Sequence, residues 1–447
     1  MRRWLLIGAV TAAAVIAPQF FLPSGLHADV ISIAGGCLVL WLSEAAPPFV
    51  PAFLLWALIP LALGRYDGGL DLSRALGWAA DPVLALFLGG FALGVAAERH
   101  GLDTWLINRA IRFSGRSFAT LLLIVIFITA FLSMWLSNIA AAALMLACLR
   151  PAFGRIDSDD LLRRTLLSGV ALGAGLGGMA TPIGTGPNAV AIAALAGAYP
   201  ITFVKWMVFA LPLAVGMLLL IFALLWWRSR SAAASWDAVV FPKKNGARPL
   251  EAQPSHTAFY FIGIATVVLW LTEPIHGIAA AVVSILAAAA LFLSGALDKD
   301  ALRRIDWSTL ILIAGGITLG KLLESTGVIA SLSGNIPFDT FDKRFALFLI
   351  CFATAFMAAI MSNTASVIMI IPLAAALIPA PSTAILVAVS ASFGLPFIIS
   401  TPMNAMAYGE GGLKTGDLLW PGLVIMCVGC ALVALTGPYI LGAVGIP

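Results

Sequence analysis

The sequence predicts an all-α polytopic membrane protein assembled from two inverted repeats. Three observations carry that expectation. Of 447 residues, 61% are hydrophobic and only 10% are charged, with a mean hydropathy of +1.04. Apolar runs of spanning length recur from end to end, and no polar stretch is long enough to fold as a separate domain. Several short polar patterns then occur twice, in the same order.

The chain opens with Met1-Arg2-Arg3 and the apolar run 4–22. That start resembles a signal peptide, but the run is long and no small-residue cleavage site follows, so it reads as a retained first helix. Runs 30–41 and 49–63 come next, parted by Ser43-Glu44-Ala45-Ala46-Pro47-Pro48. A polar loop, 65–81, leads into 83–97. Residues 98–116 space Arg99, Arg109, Arg112 and Arg116 among apolar residues, the pattern of a helix lying on a membrane surface.

The apolar stretch 118–149 carries Ser133, Ser137 and Asn138 near its middle. Hydrocarbon cannot solvate a bare Ser-Asn pair, so a re-entrant hairpin turning at that tip is expected rather than one long helix. Run 166–198 is broken by Thr181-Pro182-Ile183-Gly184-Thr185-Gly186-Pro187-Asn188, and 206–227 closes the first half. One back-bonded Ser or one Pro kink is ordinary in a membrane helix. The same four elements in the same order twice are not.

The repeat is direct. Trp41-Leu42-Ser43-Glu44 returns as Trp270-Leu271-Thr272-Glu273, and Gly89-Gly90 with Glu98 returns as Gly315-Gly316 with Glu324. Ser137-Asn138 returns as Ser362-Asn363 inside 345–378, and the first break returns as Ser400-Thr401-Pro402-Met403-Asn404. The offsets are 229 (Trp41 to Trp270), 226 (Gly89 to Gly315), 225 (Ser137 to Ser362) and 216 (Thr185 to Thr401). Preserved order at near-constant offset indicates duplication. The expected organisation is an N-terminal helix 1–29, a first repeat 30–227, a cytoplasmic linker 228–256 and a second repeat 257–447.

Basic residues in the connections set orientation. Arg2, Arg3, the arginines of 98–116, those of 150–164 and 228–248, and Lys299, Arg303 and Arg304 are placed in the cytoplasm. Counting between them gives eleven transmembrane helices, hairpins that open to opposite faces, and an outside C-terminus. Lys343 and Arg344 fall on the opposing side.

An enzyme has little to stand on: there are four His and five Cys, without catalytic or metal-ligand spacing. Cys427 and Cys430 are one helical turn apart with no partner ligands nearby, and read as packing. Broken helices offer free N–H groups at N-terminal ends and free carbonyls at C-terminal ends, suiting an anion and a small cation respectively. No Lys, Arg, Asp or Glu lies within the hairpin cores, so neutral oxygens would bind a monovalent cation such as sodium rather than calcium. Glu44 and Glu273 stand beside Pro at span ends, where a structural role is expected. Lys321 and Glu324 are spaced to pair along one helix.

With these motifs assembled, the chain resembles the divalent anion:sodium symporters, the dicarboxylate, citrate and sulfate transporters. The resemblance covers essentially the whole chain. It implies a homodimeric elevator-type transporter, multi-pass in a bacterial inner membrane, importing a small divalent anion, foremost a C4 dicarboxylate, with sodium as coupling ion. It further implies substrate contacts from Ser137, Asn138, Thr185 and Pro187 on one side and Ser362, Asn363, Thr364, Thr401 and Pro402 on the other. Ser133, Ser137, Asn138 and Gly184 would form one sodium site, and Asn363 and Ser400 would contribute to a second. Two departures stand out: Ile139 where the family usually has Thr, and Ala358 at the position matching Ser133. A sodium-independent exchanger, a sulfate carrier, an anion channel and a non-transporting scaffold are the alternatives.

Overall fold

The computed structural model describes residues 2–21, 25–43, 45–114, 117–154, 156–157, 160–197, 199–233, 254–333 and 342–446. Glu44, Arg116, Arg155 and residues 234–253 of the expected linker lie outside the described residues. Among those described, there is no strand.

The first half begins with α1 (Arg2–Phe21), α2 (Leu26–Ser43) and α3 (Val50–Leu58). A π-helical turn, Ile59–Leu63, extends α3 around Pro60, whose missing N–H breaks the α-helical ladder. Then come α4 (Leu72–Ala79), α5 (Pro82–Arg99) and α6 (Leu102–Arg112). In α6, Ile107 and Ile111 are buried while Trp105 is exposed, so the helix is two-faced as its spacing predicts. A hairpin follows, α7 (Phe118–Ser133) and α8 (Asn138–Phe153), and then the broken pair α9 (Leu161–Gly177) and α10 (Gly186–Leu195). α11 (Phe203–Ala233) closes the half and runs past the expected end at residue 227.

The second half repeats this order. It comprises α12 (Pro254–Leu271), the short α13 (Glu273–His276), α14 (Ala280–Leu293), α15 (Lys299–Arg304), α16 (Trp307–Ser325) and α17 (Val328–Ser333). The second hairpin is α18 (Lys343–Ile360) with α19 (Asn363–Leu377). Its broken pair is α20 (Ser382–Ala391) with α21 (Pro402–Gly409), and α22 (Thr415–Ala443) ends the chain's helices. Among the described residues, five helices, α5, α11, α16, α18 and α22, are long and apolar enough to cross a membrane, and ten shorter apolar helices accompany them.

The halves are interleaved rather than set side by side. α5 packs on α14 and α16 packs on α3, each across the repeat boundary. Glycine permits both contacts: a β-carbon at Gly89 would collide with Ser284, and one at Gly315 would collide with Ala52. Small residues let helix backbones approach closely where no hydrophobic gain separates protein from lipid. Salt bridges of 2.7 Å, Arg99–Asp298 and Arg304–Glu98, tie the end of α5 to α15. The Ala301 N–H and the Arg99 guanidinium hold the Asp298 carboxyl below its ordinary range.

Within each half, the hairpin's first helix lies against the first part of the broken helix. A β-carbon at Gly177 would meet the Ala130 backbone, and one at Gly394 would meet the backbone of Ala355 and Ala359. Ala130 and Ala355 are themselves 225 residues apart, the hairpin offset.

Candidate functional site

All four predicted polar tips fall at helix N-termini. α8 begins at Asn138, α10 at Gly186, α19 at Asn363 and α21 at Pro402. Each is preceded by a residue in extended backbone, Ser137, Thr185, Ser362 and Thr401, as an N-cap requires. Ser137 Oγ accepts from Ala140 N at 3.2 Å, and Thr401 Oγ1 accepts from Asn404 N at 3.2 Å. Thr185 and Ser362 make no side-chain cap. The first turn of α19 therefore keeps unspent N–H donors, the groups that favour an anion, whereas in α10 Pro187 has none and Asn188 N donates to the Thr185 carbonyl at 3.2 Å, leaving Gly186.

The tips are brought together across the repeats. Gly186 abuts the Thr364 side chain so closely that a β-carbon there would overlap it, joining the N-termini of α10 and α19. A β-carbon at Gly178 would come within 2.6 Å of Asn138 Oδ1 and 2.8 Å of the Gly184 carbonyl, joining the first hairpin tip to the first break. Thr181 Oγ1 donates to the Met134 carbonyl in the hairpin turn at 2.6 Å. α8 and α21 also pack together, with Arg150 making a two-nitrogen contact to Glu410 at 2.8 and 3.0 Å where both helices end. The two helices are thus parallel, and their N-termini share one end.

Ser133 Oγ lies 2.6 Å from Asn138 Oδ1 and 2.7 Å from the Ala174 carbonyl. One hydroxyl hydrogen faces two acceptors there, and a cluster of neutral oxygens of this kind suits a desolvated cation. Ser133 is fully buried, Gly184 and Ser400 are buried, and Asn138 is half-buried. In the second half, Ala358 occupies Ser133's place, and the Asn363 side chain makes no hydrogen bond among the described residues. Ser400 Oγ accepts from Phe397 N at 2.9 Å. Pro187 is buried, whereas Pro402 is exposed. A cleft of about 540 Å³ runs between α8 and α21, lined by Ala140, Ala143, Ala147, Arg150, Met406 and Glu410. Its lining reaches within two residues of Asn138.

Other neighbours of the site are not evident from the sequence pattern. Trp135, beside the first tip, stacks on Phe203 (6.1 Å, 12°) and Trp270 (6.5 Å, 2°), linking hairpin, α11 and α12. Trp270 belongs to the duplicated Trp-Leu-Ser/Thr-Glu motif. Its Glu273 accepts from Phe203 N and Ala280 N at 3.3 Å, the structural role expected of it. Lys321 and Glu324 pair at 3.5 Å. Asn188 and Asn404, which end the two break motifs, are fully buried and reach back across their own breaks.

Apolar helices interrupted at matching places, with polar tips at facing helix ends, make this an all-helical, multi-pass membrane transporter. The solved crystal structure of the Alcanivorax borkumensis YdaH transporter has a similar fold, with TM-score 0.61 and 15% identity, covering 90% of this chain and 98% of that one. The chain belongs to the citrate transporter family, whose model matches residues 38–383. Among curated relatives, the sodium-dependent dicarboxylate transporter SdcS of Staphylococcus saprophyticus is 26% identical over 90% of this chain and 84% of its own. The inorganic phosphate transporter PHO87 of Saccharomyces cerevisiae is 28% identical over 75% of this chain, which spans 37% of PHO87.

Proposed function

We propose that this protein is a secondary active transporter that imports a small divalent anion, a C4 dicarboxylate, coupled to sodium. The observation that carries this reading is the set of helix N-termini at the two tips and two breaks. Those of α10 and α19 are uncapped and in contact through Gly186 and Thr364. Such ends hold an anion with neutral dipoles alone. The crowd of oxygens at Ser133, Asn138 and Ala174 gives the coupling cation a place beside it. Substrate contacts are assigned to Ser137, Asn138, Thr185, Pro187, Ser362, Asn363, Thr364, Thr401 and Pro402. Sodium contacts are assigned to Ser133, Ser137, Asn138 and Gly184, and to Asn363 and Ser400.

The two halves are read as inverted repeats within eleven spans. The hairpins and broken helices form a body that moves as an elevator against a dimeric scaffold of α2–α5 and α12–α16. The sodium-dependent dicarboxylate relative supports the coupling and the substrate class. A second reading, an inorganic oxyanion as substrate, is favoured by the phosphate-transporter relative. Sodium-independent exchange is favoured by the missing hydroxyl at Ala358. Proteoliposome uptake of labelled succinate, sulfate and phosphate, each with and without a sodium gradient, separates these readings. Flux that neither saturates nor accumulates substrate would identify a channel instead.

A further inference from the structure

Each break ends in an asparagine whose two amide hydrogens are spent in the same way. Asn188 Nδ2 donates to the Gly178 carbonyl at 3.1 Å and the Thr181 carbonyl at 2.7 Å. Asn404 Nδ2 donates to the Leu395 carbonyl at 2.9 Å and the Phe397 carbonyl at 2.8 Å. The asparagines are 216 residues apart, and so are Thr181 and Phe397. Both asparagines sit in the first turn of the helix after the break and reach back to carbonyls of the break, two of which, Thr181 and Phe397, also accept from Gly184 N at 3.4 Å and Ser400 N at 3.1 Å. Both are 0% exposed, and both Oδ1 atoms are buried without a donor among the described residues. Turning either amide over would aim its oxygen at two carbonyls, so the orientation is fixed. A buried acceptor without a donor is costly. That cost recurs identically in both halves, which points to what the amide nitrogens accomplish.

We propose that Asn188 and Asn404 are matched positioning residues that hold the two breaks open in a fixed shape and so seat the hairpin tips. The held carbonyls belong to residues in touch with the site. Gly178 packs against Asn138 and the Gly184 carbonyl, and Thr181 bonds the first hairpin turn through Met134. On the other side, Phe397 N bonds Ser400 Oγ. Neither asparagine needs to touch substrate or cation. Each fixes backbone beside the oxygens that do, so the inference rests on the reading of the breaks as a cation and anion site.

The test compares wild type with Asn188→Leu and Asn404→Leu. Backbone hydrogen exchange is measured by mass spectrometry on purified protein. Asn188→Leu should speed exchange in residues 178–186 by about tenfold and leave 395–401 unchanged, and Asn404→Leu should do the reverse. Wild-type exchange in both segments would overturn the proposal whatever the protein transports. In proteoliposomes, Asn188→Leu should raise the sodium concentration for half-maximal uptake about tenfold, more than it raises the substrate KM. A merely structural role would lower the amount of active carrier and leave both constants alone. If the leucine variants do not fold, Asn188→Asp serves: its carboxyl donates only when protonated, so its uptake should recover as pH falls relative to wild type. A wild-type pH profile in that variant would also overturn the proposal. Absence of dicarboxylate uptake by wild type would sink the functional reading alone, because the exchange comparison stands without it.

Discussion

Ser133 Oγ sits 2.6 Å from Asn138 Oδ1, and at the matching position of the second repeat Ala358 leaves Asn363 without any such neighbour. The two tips are alike in backbone and unlike in oxygen count. A sodium ion entering a dry site gives up hydration and needs oxygens in return. Sodium dependence should therefore reside mainly in the first repeat.

Ser133→Ala removes one neutral oxygen from that cluster. Loss of such a partner costs about 1–3 kcal/mol, or about one to two decades of affinity. The sodium concentration for half-maximal uptake should rise accordingly, and Ala358→Thr should lower it or steepen its cooperativity. Initial uptake rate against sodium concentration for the three proteins is the measurement. Unchanged curves would remove Ser133 from the cation site.

Asn138 and Asn363 head the helices α8 and α19 and are half-buried. As ligands, they contribute little to stability, since polar groups at membrane depth are kept for function. Asn138→Ala and Asn363→Ala should each abolish uptake while purified yield and thermal midpoint stay near wild type. Normal uptake by both, or unfolding of both, would make them structural.

A different cluster is structural by the same reasoning. Asp417, 1% exposed, takes Arg164 through two nitrogens at 2.6 and 2.8 Å and also pairs with Arg228, pinning α22 to α9 and α11. Asp417→Ala takes this carboxylate away from two guanidinium groups at once. Breaking a buried ion pair on one side costs about 3–5 kcal/mol, so yield and thermal midpoint should fall together. Arg303→Ala, whose pair with Asp300 is 85% exposed on both sides, should shift stability by less than about 0.5 kcal/mol. Equal effects of the two changes would contradict this ranking.

Much of this was legible in the sequence where polarity interrupts hydrocarbon. Ser137-Asn138 and Thr181 to Asn188 stand out because nothing in lipid would satisfy them, and the hairpin turn and break lie where expected. Long-range partners were not legible. Arg228 reads as the start of a loop, yet α11 continues through it to Ala233, where Arg228 meets Asp417, 189 residues away. The contact of Gly89 with Ser284 and the stack of Trp135, Phe203 and Trp270 likewise join segments that no periodicity links. Asn188 and Asn404 belong to recognisable motifs, but their task depends on which carbonyls lie within reach.

The proposed inverted arrangement makes its own prediction. Asp157→Cys, just before the first broken helix, and Lys343→Cys, at the first residue of the second hairpin, are each made in a cysteine-free background, and both side chains are exposed. An impermeant thiol reagent should label the first from the cytoplasmic face and the second from the opposite face. Labelling of both from one face would contradict inverted repeats and vindicate Lys343 and Arg344 as cytoplasmic charges.

The central claim is sodium-coupled uptake of a C4 dicarboxylate, and reconstituted transport tests it most directly. Purified protein in proteoliposomes should accumulate labelled succinate above its external concentration when sodium is high outside. It should stop doing so when potassium or choline replaces sodium on both sides. Equal uptake in all three cations, or accumulation of sulfate or phosphate but not succinate, would contradict the account.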